Sequence, residues 1–152
     1  MKKKRIAIIG TVGVPARYGG FETLAHQLVT NLKDTFKITV YNSTKHYSAV
    51  ERIKKWNGAD IKYVPLSANG FSSIFYDIFS MIHAVFSCQI LLILGVSGCL
   101  FLPIIKLFFP HRKIVVNVDG LEWRRPKWNY WGKLFLRISE WFAIRFADEI
   151  VA

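Results

Sequence analysis

Acidic residues are scarce in this chain: 10 Asp and Glu stand against 21 Lys and Arg, a net charge of +11 over 152 residues. A surface so short of negative charge needs an anionic counterpart, and nucleic acid, phosphorylated ligands and the inner leaflet of a membrane all qualify. Cysteine is scarce too. Cys88 and Cys99 both sit inside apolar runs, where a thiol behaves as a small hydrophobe. That pattern excludes a disulfide framework and points to a reducing, cytoplasmic compartment. Several motifs are missing as well. There is no G-x-G-x-x-G, no Gly-Lys-Ser/Thr after a glycine loop and no paired Cys/His spacing, which disfavours dinucleotide, P-loop and zinc chemistry. No recognised DNA- or RNA-binding motif is present, so nucleic acid is not an expected partner.

What is abundant is apolar side chain: 52% of residues are hydrophobic, with 12 Phe, 6 Tyr and 5 Trp. That is enough for the core of one domain and excludes a disordered chain. A signal peptide is not expected, because the apolar run after Lys2–Arg5 is only Ile6 to Ile9 and ends in Gly-rich sequence. From Ile78 to Ile105 there is no Asp, Glu, Lys or Arg, long enough to cross a bilayer. The polar and breaking residues Ser87, Gln89, Gly95, Ser97, Gly98 and Pro103 divide this run instead into a helix end, a buried strand and a second helix.

Read along the chain, strand and helix signals alternate. Arg5–Thr11 is a short β-branched run that enters a Gly-rich loop, and Phe21–Lys33 has helical apolar spacing with Glu22 near the positive end of the helix dipole. Lys37–Asn42 reads as strand, Ser48–Trp56 as a polar helix, Asn57-Gly58 as a turn and Asp60–Leu66 as strand. Phe71–Phe86 is helical, its aromatics mostly core. Gln89–Leu94 is apolar throughout, as in a strand covered on both faces. A helix over Leu100–Phe109 ended by Pro110, a strand over Lys113–Val118, an amphipathic helix over Asn129–Phe146 and a strand from Glu149 complete the pattern. The expectation is an α/β fold with a Rossmann-like, doubly wound parallel sheet in a single domain over residues 1–152. A chain that stops within an apolar strand reads as the first half of something longer.

Ligands of open parallel sheets bind beyond the carboxyl ends of the strands, so the residues that follow each strand are the candidates. After the first come Gly13, Arg17, Tyr18, Gly19, Gly20 and Glu22: exposed amides at a helix start, with a guanidinium, suit a phosphate. The same glycines also suit a tight turn. The second strand ends at Tyr41, Asn42 and Ser43, with no carboxylate for a ribose hydroxyl. After Val118 come Asp119, Glu122, Arg124 and Arg125, two carboxylates that can orient a hydroxyl nucleophile or hold a sugar, or else an Asp-Gly turn with a surface ion-pair set. His83 reads as a satisfied core or interface histidine, and His26, His46 and His111 as exposed. From Glu122 to Phe146, Trp123, Trp128, Trp131 and Trp141 are interleaved with Arg124, Arg125, Lys127, Lys133, Arg137 and Arg145. Tryptophan with cation suits an anionic membrane interface as well as a helix with a solvated basic face.

The run IGTVGVPARYGGFETLAHQL (Ile9–Leu28) with NVDGLEWRRPKW (Asn117–Trp128) resembles the N-terminal domain of rhamnosyltransferase-type glycosyltransferases of family 4, over essentially the whole chain. The resemblance implies the GT-B architecture, two Rossmann-like domains facing across a cleft, with this chain as the acceptor-side domain and the C-terminal donor-binding domain, with its paired glutamates, absent. It implies transfer of a hexosyl unit, with rhamnosyl as a candidate, from a nucleotide sugar to a polyprenyl-diphosphate-linked saccharide in capsule or exopolysaccharide assembly. Gly13, Arg17, Gly19 and Gly20 would approach the donor diphosphate, and Asp119 would take the place of a polar catalytic or sugar-contacting residue. No metal or bound cofactor is implied, since positive side chains and helix dipoles stabilise the leaving diphosphate. The expected location is cytoplasmic, peripheral on the inner face of the cell membrane. Alone, the chain is expected to be inactive, with a separate donor domain as a candidate partner. The alternatives are a noncatalytic module that binds anionic lipid or glycolipid, and an integral membrane protein spanning at Ile78–Ile105.

Overall fold

The computed structural model describes residues 3–17, 19–118, 120 and 122–152. Seven strands, β1 (Lys4–Ile9), β2 (Phe36–Ser43), β3 (Lys55–Trp56), β4 (Ala59–Val64), β5 (Ile90–Leu94), β6 (Lys113–Asn117) and β7 (Glu149–Val151), form one sheet in the order β3-β4-β2-β1-β5-β6-β7. All neighbours are parallel except β3 and β4. The expected α/β doubly wound sheet is therefore present. The chain winds outward from β1 to β2 and β4, then crosses back to β5 on the other side of β1. The reversal falls between β1 and β5, the position where an open α/β sheet leaves a crevice at its carboxyl rim.

Alternation along β1 sorts the helices onto two faces. Ile6 and Ile8 pack with Ala25 and Val29 of α1 (Gly20–Leu32), whereas Ala7 and Ile9 join the core beneath α2 (Ser72–Val85), α3 (Leu102–Phe108) and α4 (Tyr130–Phe146). Among the described residues α1 is the only helix on its face. For that reason the central strand β5 is less covered than its apolar run implies: Leu91 and Ile93 are buried, while Ile90 and Leu92 on the α1 side are half-buried. The run from Ile78 to Ile105 divides into the end of α2, β5, a 3-10 turn at Cys99–Phe101 and the start of α3, with Pro103 in the first turn of that helix. No helix among the described residues is long and apolar enough to cross a membrane.

Two elements depart from their sequence signals. The polar segment Ser48–Trp56 forms only a 3-10 turn, Ala49–Glu51, before pairing as β3. Ser48 and Glu51 close a capping box around that turn, and Asn57 and Gly58 (φ 46° and 87°) adopt the left-handed pair that a two-residue hairpin requires, so the chain turns back into β4. Helix α2 is inverted relative to a core helix. Its inward face carries Ser73, Tyr76, Asp77, Ser80, Met81 and Ala84, whereas Phe71, Phe75, Phe79 and Phe86, expected in the core, are exposed. Tyr76 fixes the helix to the sheet, its hydroxyl lying 2.9 Å from the Thr11 carbonyl and 2.6 Å from that of Tyr41. Both cysteines are free and buried.

Candidate functional site

A cleft of about 680 Å³ opens at the carboxyl rim, centred on the β1/β5 reversal. The first wall is the loop after β1. Gly10 (φ 87°) lets this loop leave the sheet beside β5, where an added Cβ would stand 2.1 Å from the Leu94 carbonyl oxygen. Gly19 and Gly20 follow at the start of α1, which has no side-chain cap, and both line the cleft. The first amides of a helix lack intrahelical acceptors, and at this start the Glu22 carboxylate lies beside Gly19, where an added Cβ would stand 3.1 Å from its Oε1.

Arg17 lines the same wall in a fixed orientation. Its guanidinium donates to the His46 carbonyl at 3.1 Å and to Glu51 at 2.7 Å, and lies 4.5 Å from the centre of the Tyr47 ring. Glu51 is held at a pKa of about 2 by the Ser48 hydroxyl and backbone amide and then by Arg17. A guanidinium has five N–H donors and these contacts use two, so Arg17 keeps donors for a ligand. Burial pushes the Tyr47 phenol up to about 12, and its hydroxyl, a donor to the Pro15 carbonyl at 3.1 Å, remains protonated. Glu22 lines the cleft from the first turn of α1.

Gly13 has a different position from the other loop glycines. An added Cβ there would stand 2.3 Å from the buried Asn42 side chain, so its lack of a side chain serves packing inside the loop, and it does not border the cleft. Tyr18 lies outside the described residues, as does Asp119.

The opposite wall follows β6. Val118, Gly120, Glu122, Arg125, Lys127 and Trp128 border the cleft. Glu122 is the hub of this wall: it pairs with Arg125 at 2.9 Å and Lys127 at 2.8 Å, and accepts from the Trp128 indole at 3.3 Å. The ion-pair set that the sequence allowed is thus present, and it presents two cations at the cleft. Arg124 does not border the cleft; its guanidinium stands 5.2 Å from the Trp123 ring, which Arg137 also approaches at 5.1 Å, while the Trp123 indole donates to Glu140 at 2.9 Å.

Between the walls lies a floor that motif reading missed. Asp77 of α2 is 1% exposed and accepts a hydrogen bond from the Ser97 hydroxyl, in the turn after β5. Burial pushes its carboxyl up to about 7, against the Ser97 bond and the Gly98 amide. A lone carboxylate within an otherwise apolar helical segment, Phe71–Phe86, was the available signal. The histidines differ from their sequence reading: His83, expected in the core or an interface, is exposed and bonds the Tyr41 hydroxyl at 2.7 Å, and His26 and His46, expected exposed, are half-buried, while His111 is exposed as expected. Among the described residues no group of three or more His, Cys, Asp or Glu could hold a metal.

Comparison with known proteins shows that the chain belongs to the family described as domain of unknown function (DUF1972), whose model matches residues 3–152. No curated protein matches it. Among solved structures it is similar to a short-chain dehydrogenase/reductase (wide type) from Veillonella parvula DSM 2008 in complex with NADP, at 13% identity and a TM-score of 0.55, over 98% of this chain and 68% of that one. At that identity the likeness concerns the fold, which is Rossmann-like.

Proposed function

We propose that this DUF1972 protein is the acceptor-side domain of a GT-B glycosyltransferase. It acts in transfer of a hexosyl unit, with rhamnosyl as a candidate, from a nucleotide sugar to a polyprenyl-diphosphate-linked saccharide in capsule or exopolysaccharide assembly. The observation that carries this reading is the meeting of the two resembling segments: Arg17, Gly19, Gly20 and Glu22 from one, and Gly120, Glu122, Arg125, Lys127 and Trp128 from the other, line a single cleft at the sheet's carboxyl rim. In such a transfer the bond from the sugar's anomeric carbon to the diphosphate breaks, a bond to an acceptor hydroxyl forms, and the acceptor loses its proton. Negative charge accumulates on the departing diphosphate, and helix amides, Arg17, Arg125 and Lys127 are the groups this chain offers to it. Asp119, next to Gly120, is proposed as the polar group that meets the acceptor or sugar.

Labelled nucleotide hexose incubated with lipid-linked saccharide provides the test. The chain alone should transfer little or nothing, and adding a donor-binding domain should restore turnover, which R125A and K127A together should lower. Unassisted turnover by the 152-residue chain would overturn the assignment to half a site. Failure of any nucleotide diphosphate to perturb Gly19 and Gly20 would overturn the glycosyl-transfer reading.

A second, compatible reading concerns location. Phe71, Phe75, Phe79, Ile82 and Phe86 form an exposed stripe along α2, and Trp131, Leu134, Ile138, Trp141 and Ile144 form another along α4, on the same side of the sheet. Aromatic stripes flanked by Lys133, Arg137 and Arg145, on a chain of net charge +11, suit the anionic inner face of a membrane. This favours a peripheral position, where a lipid-linked acceptor resides.

A further inference from the structure

The cleft floor contains a buried carboxylate that no ion pair among the described residues explains. Asp77 Oδ2 accepts the Ser97 hydroxyl, while Oδ1, also buried, has no hydrogen-bond partner among those residues. The surrounding backbone is built around it: a Cβ at Gly98 would stand 2.5 Å from the Asp77 Cβ. The titratable neighbours, Tyr76 on the same helix and Cys99 on the following turn, are both raised by burial and stay neutral. The charged groups elsewhere on the cleft wall are Arg17, Glu22, Glu122, Arg125 and Lys127, with His46 beside them. The Ser97 hydroxyl and the Gly98 amide are the groups that favour the charged form of Asp77, and burying a carboxylate on these without a counter-ion is costly.

Ser97 connects this carboxylate to the cleft, since it is half-buried and lines it together with Ser73 and Asp77. A hydroxyl has one proton. While Asp77 is ionised, that proton is committed to Oδ2, so Ser97 offers only lone pairs to a ligand and the carboxylate repels anions. When Asp77 is protonated, its own proton can pass into the Ser97 bond, and the Ser97 O–H is released toward the cleft.

We propose that Ser97 is a ligand-contacting residue for a neutral hydroxyl-bearing group, the sugar ring of a glycosyl ligand, and that Asp77 is the positioning residue that sets its hydrogen-bond polarity. The floor would thereby exclude phosphate while the α1 start and the arginine wall accept it. Identification of the hydroxyl-bearing group as a sugar rests on the glycosyl-transfer reading.

Amide chemical-shift titration of the isotopically labelled chain tests this with two probes, free hexose (glucose and rhamnose) and sulfate, whose charge is constant across the range used. At about pH 8 hexose should shift Gly95, Ser97 and Gly98, and sulfate should shift Gly19 and Gly20 but not the Gly95–Gly98 turn; at about pH 6 sulfate should reach that turn. In D77N the sulfate response of the turn should not change with pH. S97A, which retains the backbone but takes the hydroxyl donor from the buried Asp77 Oδ2, should weaken hexose by about fivefold and leave sulfate at Gly19 and Gly20 unaffected, and S97A/D77N, which removes the carboxylate left without its donor, should weaken hexose to the same extent. Hexose affinity indifferent to S97A, or a pH-independent sulfate response in the native turn, overturns the proposal. Loss of the Gly19 and Gly20 response alone counts against the glycosyl-transfer reading and leaves the hydroxyl contact standing.

Discussion

The side-chain amide of Asn42 grips Val14 from both sides of its backbone: Oδ1 accepts the Val14 N–H at 3.1 Å, and Nδ2 donates to the Val14 carbonyl at 2.8 Å. Both residues are fully buried. The end of β2 thus holds the loop that carries Arg17, and Gly13 supplies the space for the contact. N42A removes both bonds and leaves a buried donor and acceptor unsatisfied. It should cost about 2–4 kcal/mol in urea unfolding and weaken anion binding at Gly19 and Gly20.

Asp77 makes stability fall with rising pH. Its folded pKa is raised from 3.8 to about 7, so between those values the native state holds a proton that the unfolded chain has released. The stabilisation from that proton is complete below about pH 4 and is lost as pH rises through 7. The upper limit of the loss is roughly 4 kcal/mol, because each pH unit between the unfolded and folded values is worth about 1.4 kcal/mol. Urea midpoints for the native protein should decline between about pH 5 and pH 8, and those for D77N should change less.

Arg17 should govern anion affinity. R17Q removes charge-assisted donors while retaining length and polarity, so pyrophosphate binding followed by calorimetry should weaken by about tenfold, with a smaller effect at high salt. Glu51, at a pKa of about 2, stays ionised across the neutral range, so the orientation of Arg17 by this carboxylate should not vary between pH 5 and 8.

Flotation with vesicles separates two surfaces. Replacing Trp131 and Trp141 with Ser should reduce binding to anionic vesicles, as should neutralising Lys133 and Arg137, each by several-fold; neutral vesicles should bind weakly throughout. R17Q, which lies at the cleft, should float like the native protein.

The layers of the fold were legible because strand and helix periods differ. Arg5–Thr11, Lys37–Asn42, Gln89–Leu94 and Lys113–Val118 all correspond to parallel strands whose ends fall within two residues of the expected bounds. The hairpin strand β3 was not, since Lys55 and Trp56 alone have no period; only Asn57-Gly58 marked the turn. Helical spacing correctly gave α2, yet spacing cannot say which face meets the sheet, and here the small and polar side carrying Tyr76 and Asp77 does. The site followed the same division. Arg17, Gly19, Gly20, Glu22, Glu122 and Arg125 were singled out by their place after β1 and β6, and all border one cleft. Gly13 and Arg124, chosen by the same rule, are used locally against Asn42 and Trp123. Asp77 and Ser97 escaped because they meet only through folding, 20 positions apart.

The Tyr76 hydroxyl lies within bonding distance of the Thr11 and Tyr41 carbonyls but has one proton to share between them. One pin therefore joins the ends of two strands to the helix that bears Ser73 and Asp77. A displacement of this helix relative to the sheet would break the contact to β1's loop and to β2 at once, which ties the floor of the cleft to the rim of the sheet.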